Sequence, residues 1–244
     1  MAFGEFAKLY DFLMREVDYD AWAEYLCAFF GKNKCIVDCA CGTGALAVRF
    51  ARAGNSVTGV DISREMLEVA ADKARGMGLK IPFVCQDMQN LALHRPVDAV
   101  VCACDGVNYL LTQEAVSAFF STAFAALRPG GLLLFDVSSQ FKLSSVLGLN
   151  VFAEDEEDCA YIWQNHYDDA SRLIEMELSF FVREGALYRK FCERHVQRAH
   201  SQQELAGALE QAGFVVEGVY EAFGQKPVGE RSERIQFVAR RPMI

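Results

Sequence analysis

The residues Asp38-Cys39-Ala40-Cys41-Gly42-Thr43-Gly44 close one apolar run and open a helical pattern, and Asp61 ends the next apolar run. A glycine-rich turn after a strand lets a ligand approach the backbone closely. A carboxylate at the tip of the following strand can hold the two hydroxyls of a ribose. The pair points to an adenosine-containing ligand. Two later apolar runs end on Asp87-Met88 and on Cys104-Asp105-Gly106. In a doubly wound sheet, ligands sit outside the carboxyl ends of the strands. Four such ends in succession are a far more specific signal than one glycine loop.

These loops need strands and helices to position them. Apolar spacing predicts one or two amphipathic helices over 3–30, and strands over 35–39, 56–60, 81–86, 97–102 and 132–137. Helices are expected over 45–53, 64–75 and 112–127, with Ser63 as an N-cap and Arg128-Pro129-Gly130-Gly131 as a tight turn. Beyond residue 150 the period changes to two, over 161–167, 173–183 and 187–197, as in a three-stranded antiparallel meander. A capping box at Ser201 and Glu204 then starts a helix over 204–212, and two final strands are expected over 214–223 and 235–240. The expected fold is α/β: a doubly wound, mostly parallel seven-stranded sheet with helices on both faces and a small antiparallel β insert. Residues 1–34 read as a helical cap, 35–150 and 199–244 as the sheet core, and 151–198 as an insert over the site.

Composition narrows the function classes. The chain has 244 residues, 52% hydrophobic and 23% charged, which suits a soluble globular protein. No apolar run reaches the length of a membrane span, and Met1-Ala2-Phe3-Gly4-Glu5-Phe6 lacks the basic flank of a secretory signal. Nine cysteines lie mostly in apolar runs, as expected of thiols in a reducing cytoplasm. No metal is expected: Cys39-Ala40-Cys41 and Cys102-Ala103-Cys104 leave one residue between thiols, where structural zinc sites use two to four. A net charge of −9 with no basic tract argues against nucleic acid as a partner. The acidic run Glu154-Asp155-Glu156-Glu157-Asp158 reads as a solvated loop, or as a lid that disfavours phosphorylated substrates.

The order of these loops resembles the S-adenosylmethionine-dependent methyltransferases with a Rossmann-like fold, over roughly Tyr10 to Arg240. Val37 to Gly44 is similar to that family's first motif. Val60-Asp61-Ile62-Ser63 with Met66 resembles its second-strand motif, and Cys85-Gln86-Asp87-Met88 its adenine-contacting motif. The Arg-Pro-Gly-Gly turn is similar to the one before its fifth strand, and the closing strand pair is similar to its sheet edge, which implies that the last strand is antiparallel. The resemblance implies S-adenosylmethionine as cofactor and S-adenosylhomocysteine as product. It places Asp38, Ala40, Cys41, Gly42, Gly44 and Cys104 along the cofactor and Asp61 on its ribose. Ile62, Met66, Asp87 and Met88 would lie around the adenine. Glycine is usual where Ala40 stands, so alanine is expected to keep φ below zero. Tyr10-Asp11-Phe12-Leu13-Met14 and the later Trp22 resemble a branch acting on small molecules, which implies that Tyr10 and Trp22 cover the methionine end.

Methyl transfer is an in-line displacement, so positioning is expected to supply most of the acceleration. Asp105 and His195 are the candidate catalytic residues, with Asn108, Tyr109 and Glu193 toward the acceptor. A structural histidine is the competing reading for His195. The expected activity is methylation of a nitrogen or oxygen on a small molecule, by a cytoplasmic monomer or homodimer. An RNA or protein methyltransferase, a non-catalytic binder of the cofactor, and a dinucleotide oxidoreductase are the alternatives. The last is disfavoured because Ala47 stands where a third glycine would be needed.

Overall fold

The computed structural model describes residues 6–243, so the expectation for the first five residues lies outside the described residues. Two helices open the chain, α1 (Ala7–Leu13) and α2 (Tyr19–Phe30). Asp18 caps α2 by accepting the Ala21 N–H at 2.9 Å. Strands and helices then alternate: β1 (Cys35–Cys39), α3 (Ala45–Arg52), β2 (Ser56–Asp61), α4 (Arg64–Gly76), β3 (Phe83–Cys85), β4 (Val97–Cys102), α5 (Gln113–Ala126) and β5 (Leu127–Ser138). Ser63 caps α4 and Thr112 caps α5, each through its side-chain oxygen.

The insert follows as β6 (Val151–Asp155), β7 (Cys159–Asp168), β8 (Leu173–Glu184) and β9 (Leu187–Arg198), each antiparallel to the next. The chain closes with α6 (Gln202–Gln211), β10 (Val215–Glu221) and β11 (Arg234–Arg240). The capping box of Ser201 and Glu204 is present at α6.

The main sheet has seven strands in the order β10-β11-β5-β4-β1-β2-β3, with only β11 running against its neighbours. Its strand order reverses between β1 and β4, which both lie in the middle. Ala99, Val100, Val101 and Cys102 are fully buried, because helices cover both faces of a parallel sheet. The insert packs differently. Ile174 and Phe180 share one apolar cluster with Phe6, Ala7, Met66 and Leu143, so the inner face of the small sheet rests on α1, α4 and the helical turn Lys142–Leu147.

The insert holds four strands rather than the three expected. The unforeseen one, β6, is exposed along its whole length and ends in Glu154 and Asp155. Neither apolar alternation nor burial marks it in the sequence. The acidic run is therefore divided between a strand end and a turn, and ion pairs hold it. Glu154 lies 3.6 Å from Arg15, Glu156 also pairs with Arg15, and Glu157 meets Arg183 at 2.6 Å. Two boundaries also differ. β3 is shorter than the expected 81–86, and β5 starts before the Pro-Gly-Gly turn, because that turn bonds across to Arg241. Among the described residues no helix is long and apolar enough to cross a membrane.

Candidate active site

The turn after β1 is fastened to the tip of β2. The Cys41 N–H donates to the Val60 carbonyl at 3.1 Å, and the Gly42 N–H donates to Asp61 Oδ2 at 2.8 Å. Holding both bonds requires left-handed backbone at Ala40 (φ 52°), Gly42 (φ 53°) and Gly44 (φ 75°). The expectation of negative φ at Ala40 is thus corrected, and the strain there costs about 1 kcal/mol. Gly44 is needed for space as well, since a Cβ on it would sit 3.0 Å from the Ala70 Cβ.

Asp61 is 9% exposed and borders a cavity of about 450 Å³ at the carboxyl ends of the parallel strands. Its Oδ1 accepts the Ser63 N–H at 2.9 Å. Burial pushes its carboxyl up, while the Ser63, Gly42 and Ile62 amides pull it back. Each oxygen keeps a further lone pair for a ligand hydroxyl. Ile62, 66% exposed, and Met66 line the same wall. Asp87 and Met88 follow, with Asp87 accepting the Gln89 N–H at 2.9 Å to cap the short turn Met88–Asn90. Tyr10 closes over this end, its ring 4.0 Å from where a Cβ on Gly42 would lie.

The other side of the cavity is built on β4, β5, β9 and β11. Cys104 and Asp105 are both left-handed (φ 61° and 52°), and Asp136 of β5 fixes them by accepting both their N–H groups, at 2.8 and 3.1 Å. Arg234 pairs with Asp136 and donates to Asp105 Oδ1 at 2.7 Å. Gln197 of β9 donates to Asp105 Oδ2 at 2.7 Å. Burial alone would raise the Asp105 carboxyl, but Arg234, Lys142 and the Gln197 bond outweigh it and hold the group below the ordinary carboxylate range. Enclosure and the neighbouring Asp105 push the Cys104 thiol up to about 12, so it stays neutral. His195 faces the cavity with its Nδ1 3.5 Å from the Tyr109 hydroxyl, and burial lowers its imidazole to about 4.

Several residues chosen from the sequence do not line the cavity. Asp38 is inside β1, where burial and then the charge of Asp61 push its carboxyl up to about 8. The Cys41 thiol turns toward Gly59 instead, at 3.0 Å from where a Cβ there would be. Gly44 shapes the entry to α3. Trp22 is 2% exposed and lies under the Arg234 guanidinium at 5.2 Å, with Phe223 edge-on. Asn108 spends its amide on structure, donating to the Ser138 and Arg198 carbonyls and accepting from the Ser138 N–H. Glu193 shares a face with His195 but is absent from the cavity wall.

Arg234, Gln197 and Lys142 were not foreseen. Gln197 continues the period-two face of Glu193 and His195 by one step, so that signal was readable. Arg234 is the first residue of the one antiparallel strand, paired with Ser138, which puts it at the carboxyl ends of the parallel strands. The pattern of residues alone does not show that.

A buried carboxylate at the tip of β2, a left-handed glycine turn and an enclosed polar floor fit an adenosine-bearing methyl donor. The family described as methyltransferase domain matches residues 36–131. A Bacillus subtilis (strain 168) protein with the provisional name methyltransferase YqeM is 38% identical, over 99% of this chain and 98% of its own. A crystal structure of an S-adenosylmethionine-dependent methyltransferase from Clostridium acetobutylicum ATCC 824 matches with a TM-score of 0.89 at 33% identity, covering 98% of each chain. CalS10 of Micromonospora echinaspora, an amino pentose methyltransferase, shares the fold at a TM-score of 0.75 and 24% identity, covering 99% of this chain and 98% of its own. With a full-length relative at this identity and a matching solved structure, the chain belongs to the S-adenosylmethionine-dependent methyltransferases.

Proposed function

We propose that the protein transfers a methyl group to a nitrogen or oxygen of a small-molecule acceptor held in this cavity. The observation that carries the reading is one continuous cavity reaching from Asp61 and Ile62 at the tip of β2 to Asp105 and to His195 on the insert. S-adenosylmethionine supplies a methyl group on a positively charged sulfur, open to displacement from the opposite side. The remaining work falls to the chain.

In this reading Asp61 holds the ribose, Ile62 and Met66 flank the adenine, and Asp87 with the Met88 backbone binds its polar edge. Ala40, Gly42 and Cys104 lie along the methionine part, under Tyr10. The carboxylates of Asp61 and Asp105 favour a cationic donor over its neutral product. Residues 151–198 act as an insert that excludes water from the reacting centre, and α1 helps to close it.

Neither candidate base is strong. An imidazole lowered to about 4 stays neutral near pH 7 and has little drive to take a proton. Asp105 is held ionised by Arg234. Both groups serve as hydrogen-bond acceptors that orient an N–H or O–H of the acceptor. Acceleration then comes mainly from alignment, which suits a nucleophile with a free lone pair.

The test combines binding and turnover. S-adenosylmethionine at 100 times its Kd is expected to stabilise the fold by about 2.7 kcal/mol, and NAD to leave it unchanged. Labelled methyl is expected to appear on a member of a panel of amines, phenols, hydroxy-acids and polyols. Stabilisation by NAD alone, or label appearing only in RNA or protein, would overturn the reading.

A further inference from the structure

The ceiling of the cavity is graded across the insert. Strand pairing places Trp163 of β7 opposite Leu178 of β8, and Met176 of β8 opposite His195 of β9. Side chains two apart on a strand share a face, so Tyr161 and Trp163 project with Leu178 and Met176, and His195 with Gln197. All six line the cavity. The β7 and β8 portion is aromatic and aliphatic. The β9 portion is polar and stands over the charged floor, to which Gln197 is bonded through Asp105. Leu13 at the end of α1, Met14 just beyond it and Leu147 of the helical turn add further apolar wall, and Leu13 and Leu147 share one apolar cluster with Tyr161 and Trp163. One end of the acceptor space thus offers charged and amide groups, and the other offers aromatic and aliphatic surface whose polar atoms are the Trp163 indole N–H and the Tyr161 hydroxyl.

A polyol or a sugar is ringed with hydroxyls, and burying them against Met176, Leu178 and the ring of Trp163 would leave most of them without partners, the Trp163 N–H serving one at most, a cost that disfavours such a body at the apolar end. A flat apolar ring fills that end by burial and by contact with the aromatic and thioether side chains. Its nucleophile then has to be a substituent at one edge, reaching Asp105 and His195. We infer that the acceptor is a ring-bearing aromatic amine or phenol rather than a sugar or polyol. This rests on the methyltransferase reading of the same cavity and names the class of molecule it takes.

The chain has two tryptophans, Trp163, which lines the cavity, and Trp22, which is buried behind the lining residue Arg234 and does not line it. Fluorescence of Trp163 therefore reports the apolar end. The protein is first titrated with S-adenosylhomocysteine by calorimetry, then, loaded with it, titrated with 4-ethylaniline, 4-ethylphenol and glucosamine. A ring probe is expected to change the Trp163 signal saturably, to bind about tenfold or more tighter than glucosamine, and to lose the signal in Trp163→Phe. Leu178→Gln is expected to weaken the ring probe by about tenfold, roughly the loss of one apolar side-chain contact, while S-adenosylhomocysteine binds as before. Should Leu178→Gln fail to fold, the half-exposed Tyr161→Gln gives the same readout. Glucosamine binding as tightly as the ring probes would overturn the inference. So would a wall variant that leaves the ring probe unaffected, or one that weakens S-adenosylhomocysteine equally. Failure of S-adenosylhomocysteine to bind the wild type would instead overturn the methyltransferase reading itself.

Discussion

The two halves of the cavity are held together over very different distances along the chain. On the donor side, Asp61 bonds to Ser63 two residues away and to Gly42 nineteen residues away. On the acceptor side, Asp105 bonds to Gln197 across 92 residues and to Arg234 across 129. The donor side is made of backbone turns and local amides, so its geometry follows from glycines and caps. The acceptor side is made of side chains from separate strands, and its geometry exists only once both sheets have formed. Its stability and its chemistry therefore share the same few charges.

Removing Arg234 tests that contrast most severely. Arg234→Met leaves Asp105 and Asp136 enclosed without their counter-charge, and is expected to destabilise the fold by about 3–5 kcal/mol in urea unfolding. A loss under about 1 kcal/mol would show that the floor is not an ion network at all.

On the donor side the largest effect is expected from Asp38, and it depends on pH. Its folded carboxyl is raised to about 8 from an ordinary value of 3.8. The proton it retains contributes stability that is fully present below about pH 4 and is lost as pH rises through about 8. Asp38→Asn is neutral throughout. Its stability relative to wild type is expected to climb between pH 5 and 8 by something on the order of 3 kcal/mol. A flat difference over that window would show Asp38 ionised in the fold.

Gln197→Ala probes the bond from the insert to the floor. Losing a hydrogen bond to an ionised carboxylate is expected to cost about 1.5–3 kcal/mol of stability. It should also raise KM for the acceptor while the donor Kd holds. Equal changes in both would erase the division between the halves. The smallest effect is expected at Ala40, where glycine relieves a left-handed alanine. Ala40→Gly is expected to stabilise the protein by about 1 kcal/mol in thermal unfolding. A destabilisation would mean that the methyl group is a needed contact.

The same contrast explains what could be read before the structure. The strands, their alternation with helices and the polar strand ends follow from apolar period and turn chemistry, which are local, whereas the antiparallel last strand is implied only by the family resemblance. Asp61, Asp87 and Tyr109 line the cavity because strand tips were identifiable. Trp22 looks in sequence like Tyr10, an aromatic on an early helix. Only packing shows that one covers the cavity while the other supports Arg234. Asn108 sits in the expected loop, yet its amide is consumed by carbonyls 30 and 90 residues away. The strand β6 is not marked in the sequence because its apolar residues, Val151, Phe152 and Ala153, are consecutive rather than alternating and lie exposed. The chosen face of β9 stopped one residue pair short of Gln197, although its period continued.

The central claim is that one carboxylate at the tip of β2 grips the donor. Calorimetric titration of S-adenosylmethionine into the wild type and into Asp61→Ala tests it directly. The affinity of the variant is expected to fall by about 1.5–3 kcal/mol, the worth of charge-assisted hydrogen bonds. Unchanged affinity in a folded Asp61→Ala protein would contradict the account.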